Sequence, residues 1–314
     1  MGVKDSLAAI ARNPSMGGIL NRTPVARSVV TRVVGGDSVV QALAVAGELA
    51  DRGMWVALER AAYAVSDGEC ADLLLADYLQ LVEGLSGAGL GGVSEIAAFA
   101  EWLDPPNAPG GRLVALAEAA TRVGIELTLG MGRAVSVDPT LEVVAGLQGR
   151  GLLVSPTLQA NLRRTESDCR DFAGSRARLV KGGFRESSMI AHVLPAEIDK
   201  AFVRCSKVLL ASDGEPSFAT HDPRLIKIVE DVALRYGRPE QTYEFALYMG
   251  RLQAEQNRLC DDGHRVRVYV PYGPDWFGRL VGGLAEQPAS IASAVRSLLP
   301  GLPTRSASDD RKEQ

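Results

Sequence analysis

The sequence predicts a (β/α)₈ barrel, an α/β fold in which eight parallel strands close on themselves inside a ring of helices. Three observations carry this. Eight short runs rich in β-branched residues recur along the chain, amphipathic stretches of helical length separate them, and the alternation fits within 314 residues, where such barrels take about 250. Strands alternating with helices imply right-handed βαβ units and a parallel sheet. Eight repeats favour closure, while pattern alone also allows an open doubly wound sheet.

Strands are expected over residues 55–58, 92–96, 126–129, 153–158, 177–181, 217–220, 242–245 and 266–270. Helices are expected over 70–82, 112–122, 139–147, 196–209, 223–236 and 250–259, where apolar residues recur at three and four positions. Leu113, Leu116, Ala117, Ala120 and Val123 form one such stripe. Asp138-Pro139 reads as an N-cap followed by proline at the first helical position. The proline- and glycine-rich stretch 104–111 joins a helix-like stretch to a helix inside one repeat, so it is no domain linker. The chain divides into an N-terminal helical arm over 1–35, the barrel over 36–300 and a disordered polar tail over 301–314.

Composition excludes several classes. A formal charge of −4 gives no basic footprint for nucleic acid or an anionic membrane. No run approaches the roughly 18 apolar residues of a membrane span, and the N-terminus lacks the apolar centre of a secretory signal. A soluble, cytoplasmic protein is expected. Cys70, Cys169, Cys205 and Cys260 show no CxxC spacing, and the three histidines lie far apart. Inert thiols and no metal site built by the protein are therefore expected. Redox chemistry here would need an organic cofactor.

Residues 87–92 match the GxGxxG pattern of dinucleotide folds. That motif needs a strand before it and a helix N-terminus after it, so that pyrophosphate meets free backbone N–H groups. Here the order is reversed, which makes the segment a turn entering strand two.

The informative residues sit at the C-terminal ends of the expected strands, where barrel enzymes place their chemistry. These are Gln159-Ala160-Asn161-Leu162-Arg163-Arg164 after strand four, Arg178-Leu179-Val180-Lys181-Gly182-Gly183-Phe184 in strand five, Ala219-Thr220-His221-Asp222 after strand six, and Arg267-Val268-Tyr269-Val270-Pro271-Tyr272 in strand eight. Together they bring cations, glycines and hydrogen-bonding groups to one rim. Each alone has a plainer reading: a strand-end lysine is usually a solvated charge, and His221-Asp222 also reads as the cap of the helix that begins at Pro223. A barrel hydrolase or aldolase is disfavoured, since no carboxylates or metal ligands cluster at strand ends, although Lys181 has the chemistry to form a Schiff base.

In order and spacing these segments resemble the strand-end motifs of the proline dehydrogenase family, over about residues 33–299. The resemblance implies a (β/α)₈ barrel that holds FAD and oxidises L-proline by hydride transfer to flavin N5. By it, Gln159, Arg178, Val180, Lys181, Gly182, Gly183, Thr220, His221 and Glu286 would contact FAD, with Arg178 near N5 and Tyr269 as a pocket wall. Gly183 stands where the family usually has alanine.

The pattern breaks at the substrate site. The family grips the substrate carboxylate with an adjacent arginine pair on the last helix, and here Gly282 and Gly283 stand in that frame, preceded by Arg279. Glu95 aligns with a lysine expected at the end of strand two, Gly130 and Gly132 with acidic residues after strand three, and Ala246 with a glutamine in strand seven. Arg279 and Arg133 are partial replacements for the missing cations. The resemblance with these departures implies an FAD-dependent dehydrogenase acting on a C–N bond of an amine or amino acid other than free L-proline, with Arg178, Tyr269, Arg279 and Glu95 at the reacting centre. The electron acceptor is open, a quinone being common in the family. The alternative is a non-catalytic barrel that serves a partner.

Overall fold

A computed structural model of the chain describes residues 32–62, 65 and 67–276. The expected arm over 1–35 lies almost wholly outside the described residues, as do Arg279, Gly282, Gly283, Glu286 and the tail over 301–314.

Eight parallel strands close in sequence order, each hydrogen-bonded to the next and the last to the first. They are β1 (Trp55–Arg60), β2 (Ser94–Ala98), β3 (Glu126–Leu129), β4 (Val154–Gln159), β5 (Ala177–Val180), β6 (Pro216–Ala219), β7 (Glu244–Tyr248) and β8 (Arg265–Tyr272). Closure excludes the open doubly wound sheet. The helices are α1 (Val39–Asp51), α2 (Gly68–Gly87), α3 (Ala100–Leu103), α4 (Arg112–Arg122), α5 (Val137–Gly149), α6 (Thr165–Asp171), α7 (Pro195–Leu210), α8 (Pro223–Arg235) and α9 (Gln253–Asp261).

Side chains alternate across a strand, and the two faces of this sheet differ sharply. Val56, Leu58, Ile96, Leu127, Phe218 and Val268 are buried in the main apolar core. That core, shared with α2, α4, α5, α7 and α8, lies between the sheet and its helices. The alternate positions carry Glu59, Glu95, Glu126, Thr128, Ser155, Arg178, Ser217, Glu244 and Arg267. The interior of this barrel is therefore polar and charged, in place of the layers of branched aliphatics usual for the fold.

Several boundaries move for identifiable reasons. Gly87 ends α2, Gly89 takes a φ of 70°, and Gly91–Val93 make a 3₁₀ turn, so β2 begins at Ser94. The turn reading of the GxGxxG segment holds, but the strand starts two residues later than expected. Glu95 thus lies in the first half of β2, not at its end. Helix α5 begins at Val137 behind Ser136, so Asp138 and Pro139 fall inside its first turn and do not cap it. Asp222, in contrast, accepts from the Arg224 N–H at 3.0 Å and caps α8. In the stretch 104–111, the Asp104 carboxylate accepts from Gly110, Arg112 and Leu113 N–H groups and holds the entry to α4.

Candidate functional site

Gln159 ends β4 and Val180 ends β5, with Lys181, Gly182 and Gly183 directly after; Thr220 and His221 follow β6. The structure therefore gathers seven of the expected cofactor contacts on one rim. Gln159 is buried and its amide donates to the Gly132 carbonyl at 3.0 Å, tying the end of β4 to the loop after β3. Gly182 has a φ of 89°, which L residues rarely adopt, and a Cβ there would collide with the Asn161 side-chain oxygen. Gly182→Ala is expected to lower stability by about 1–3 kcal/mol, read as a lower denaturant midpoint with unchanged slope.

His221 has a defined tautomer. Its Nε2 accepts from the Tyr248 N–H at 2.9 Å, which leaves the proton on Nδ1, and its ring stacks on Tyr248 at 5.5 Å between centroids. Burial, reinforced by Arg251, lowers its pKa to about 3. The unfolded side chain titrates near 6.5, so between those values the unfolded chain binds more protons and stability falls as pH falls. The imidazole resonances are expected to show no titration from pH 8 down to 5; a midpoint near 6.5 would contradict this geometry.

Lys181 pairs with Asp199 at the start of α7, and Arg224 reaches the same carboxylate at 3.4 Å. At the other rim positions, Arg60 pairs with Asp77 at 2.8 Å and Arg133 with Glu186 at 3.5 Å.

Below the rim lies a charged layer that the sequence reading did not anticipate. Glu244 binds Arg176 at 2.7 Å and Arg267 at 2.8 Å. Glu95 is fully buried and binds Arg178 at 2.6 Å, with Arg267 at 3.3 Å and Arg176 at 3.7 Å. Arg267 also donates to the Val56 carbonyl at 3.0 Å. Burial lifts the Glu126 carboxyl above its usual range, against the pull of Arg176.

Arg178 links this layer to the rim. Its guanidinium lies 5.8 Å from the ring of Tyr269, whose hydroxyl donates to the buried carboxylate of Glu59. Tyr248 packs edge-on against Tyr269 at 5.1 Å. Glu95 therefore does not present its charge to the rim: it is enclosed beneath it. Glu59, Arg176, Tyr248 and Glu244 belong to this constellation and were not singled out in the sequence, and Asn161 stood there only as part of its strand-end segment. One signal was available, a charged residue at an inward position within each of several otherwise apolar strands.

Two polar atoms test the fit to a flavin. Arg178 Nε and Asn161 Oδ1 are buried, and neither has a hydrogen-bond partner among the described residues. A buried donor and a buried acceptor left unpaired, the acceptor against Gly182, match the edge of a polar heterocycle. That chemistry is compatible with a flavin ring.

A closed parallel barrel with donors, cations and glycines on its C-terminal rim, above a buried guanidinium, defines a ligand-binding protein of the (β/α)₈ class. The chain belongs to the proline dehydrogenase family, whose model matches residues 42–276. Proline dehydrogenase 2 of Bacillus subtilis (strain 168) is 31% identical over 183 residues, 58% of this chain and 60% of that protein. Proline dehydrogenase of Deinococcus radiodurans is 32% identical over 186 residues, again 58% and 60%. The alignments thus span about three-fifths of the length of these relatives. In fold, proline utilization A from Bdellovibrio bacteriovorus, inactivated by N-propargylglycine, superposes with a TM-score of 0.74 at 18% identity, over 92% of this chain and 37% of that one. Among the described residues no helix is long and apolar enough to cross a membrane.

Proposed function

We propose that the chain is an FAD-dependent oxidoreductase that oxidises a C–N bond of an amine or amino acid, and that its preferred substrate is other than free L-proline. Family membership and the unpaired Arg178 Nε beneath the rim support the first part. When bound, FAD supplies the two-electron acceptor for hydride leaving the carbon next to nitrogen. Gln159, Asn161, Val180, Lys181, Gly182, Gly183, Thr220 and His221 would hold it. Arg178 contributes fixed positive charge at the place where electron density arrives. Tyr269, oriented by Glu59, forms a wall of the substrate space.

The observation that carries the second part is the state of the rim cations. Arg60, Arg133 and Lys181 each already have a carboxylate partner, and Glu95 engages Arg178. A substrate carboxylate would have to displace one of these pairs, and the sequence has glycines at 282 and 283. The names of the relatives favour proline, which makes proline the necessary control.

The test is the visible spectrum of purified protein with added FAD, followed by anaerobic addition of L-proline and then of amines without a carboxylate. Flavin bands that bleach with an amine and not with proline support the whole reading. Bleaching with proline at low concentration removes the substrate part, and failure to take up FAD removes both parts. Installing arginine at 282 and 283 together is expected not to restore proline turnover, because Gly130 and Gly132 remain; robust turnover of proline by that variant would show their weight to be small. Lys181→Ala is expected to raise the FAD dissociation constant by less than tenfold, since that side chain is partly exposed and shared with Asp199.

A further inference from the structure

The charged layer inside the barrel divides its labour unevenly. Three guanidiniums, Arg176, Arg178 and Arg267, meet two fully buried carboxylates, Glu95 and Glu244. Glu244 makes the shorter contacts with Arg176 and Arg267, at 2.7 and 2.8 Å. Glu95 lies farther from those two, at 3.7 and 3.3 Å, and makes its short contact, 2.6 Å, with Nη2 of Arg178. Glu95 is thus the close carboxylate of Arg178. The contact engages one end of the guanidinium fork and leaves Nε as a buried donor with no partner among the described residues.

We propose that Glu95 is a positioning residue. It fixes the guanidinium of Arg178 beneath the rim, so that Nε is presented to the ligand, and it offsets part of the charge that Arg178 would otherwise place there. This rests on the flavin reading for its consequence and on the geometry of the pair for its substance. An arginine guanidinium sits on a long, rotatable stem and would leave this pose if its anchor were lost, because a charge buried without a partner is strongly disfavoured. With the anchor in place, the site carries a directed donor with a reduced positive field. Bound flavin is then held at a lower reduction potential than an unbalanced guanidinium would impose, since positive charge near the ring favours the reduced, electron-rich form.

The experiment compares full-length wild type, Glu95→Gln and Glu95→Asp. The readouts are the FAD dissociation constant, the midpoint potential of bound flavin, and the thermal midpoint without flavin. Glu95→Gln keeps the shape and removes the charge. It is expected to shift the flavin equilibrium at least tenfold toward the reduced form, about 30 mV for a two-electron couple. A potential equal to wild type in flavin-loaded Glu95→Gln overturns the proposal. Should Glu95→Gln not fold, Glu95→Asp decides: its shortened carboxylate loosens the contact with Nη2, and the FAD dissociation constant is expected to rise at least fivefold, whereas an unchanged constant overturns the proposal. Wild type that takes up no FAD sinks the flavin reading by itself. The pair is then judged without flavin, from the thermal midpoints of Glu95→Gln, Arg178→Met and the double variant. Losses that combine with strong coupling support the pairing, and losses that simply add overturn it.

Discussion

Glu244→Ala is expected to cost about 3–5 kcal/mol of folding stability, the usual penalty for stripping one partner from a buried ion pair. Against a total of about 5–15 kcal/mol for an ordinary domain, that is enough to leave the barrel marginal at room temperature. The reason is local. Arg267 is enclosed and Arg176 largely so, and without Glu244 Arg267 keeps only the carboxylate of Glu95, which is already taken up by Arg178, while Arg176 keeps that and a longer contact with the exposed Glu215 at 3.9 Å. Urea denaturation followed by far-UV circular dichroism reads the effect directly, and a loss below about 1 kcal/mol would mean that water or a neighbour compensates the arginines.

The same residue sets an acid limit. Burial opposes the charge on Glu244, but Arg176 and Arg267 outweigh burial and hold its carboxyl well below the usual carboxylate range. Its folded pKa is therefore depressed. The stability it contributes is complete above the unfolded value of about 4.3 and is lost as pH falls toward the folded value. Wild-type stability should decline below about pH 4 through this group, after a first decline from about pH 6.5 through His221. Glu244→Ala should keep the first decline and show a shallower second one, since Asp222, held low by Arg224, still contributes there.

Arg178→Met is expected to raise the FAD dissociation constant at least tenfold, since one hydrogen bond from a charged donor is worth about 1.5–3 kcal/mol. It should also destabilise the protein without flavin, because Glu95 keeps only its longer contacts with Arg267 and Arg176. Flavin affinity by fluorescence titration separates the two effects when it is measured at a temperature where the variant is folded. Unchanged affinity would remove Arg178 from the cofactor site while leaving its role in the charged layer intact.

What the sequence shows of this molecule follows from the range of the forces involved. Strand β3 and helix α4 fall where their patterns put them, at Glu126–Leu129 and Arg112–Arg122, because a two-residue alternation and a three-to-four spacing are local signals. Helix α6, Thr165–Asp171, has the sequence TESDCRD and no apolar stripe, and it escapes notice for that reason. Helix α1 is announced by Ser38, which accepts from the Gln41 N–H, yet the expected arm ended just before it at residue 35. The rim was legible because its residues are strand ends. The layer beneath it was not, because Glu95 and Arg178 are 83 positions apart and only closure of the sheet sets them 2.6 Å apart. The two-residue error in β2 compounded this by placing Glu95 at a rim it does not reach.

The contrast between the two faces of the sheet also bears on how the chain can change. Apolar packing outside the strands is forgiving, since swaps that conserve volume there usually cost under about 1.5 kcal/mol. Inside, strand is joined to strand by charges that each answer to a particular partner, and a half-satisfied network is worse than none. Neutral drift should therefore accumulate on the helix-facing positions of the strands and stall on the lumen-facing ones. A library randomised at Val56, Leu58, Ile96, Leu127 and Val268 should yield many folded members, and one randomised at Glu95, Arg178, Glu244 and Arg267 should yield few, those few having exchanged charges in concert.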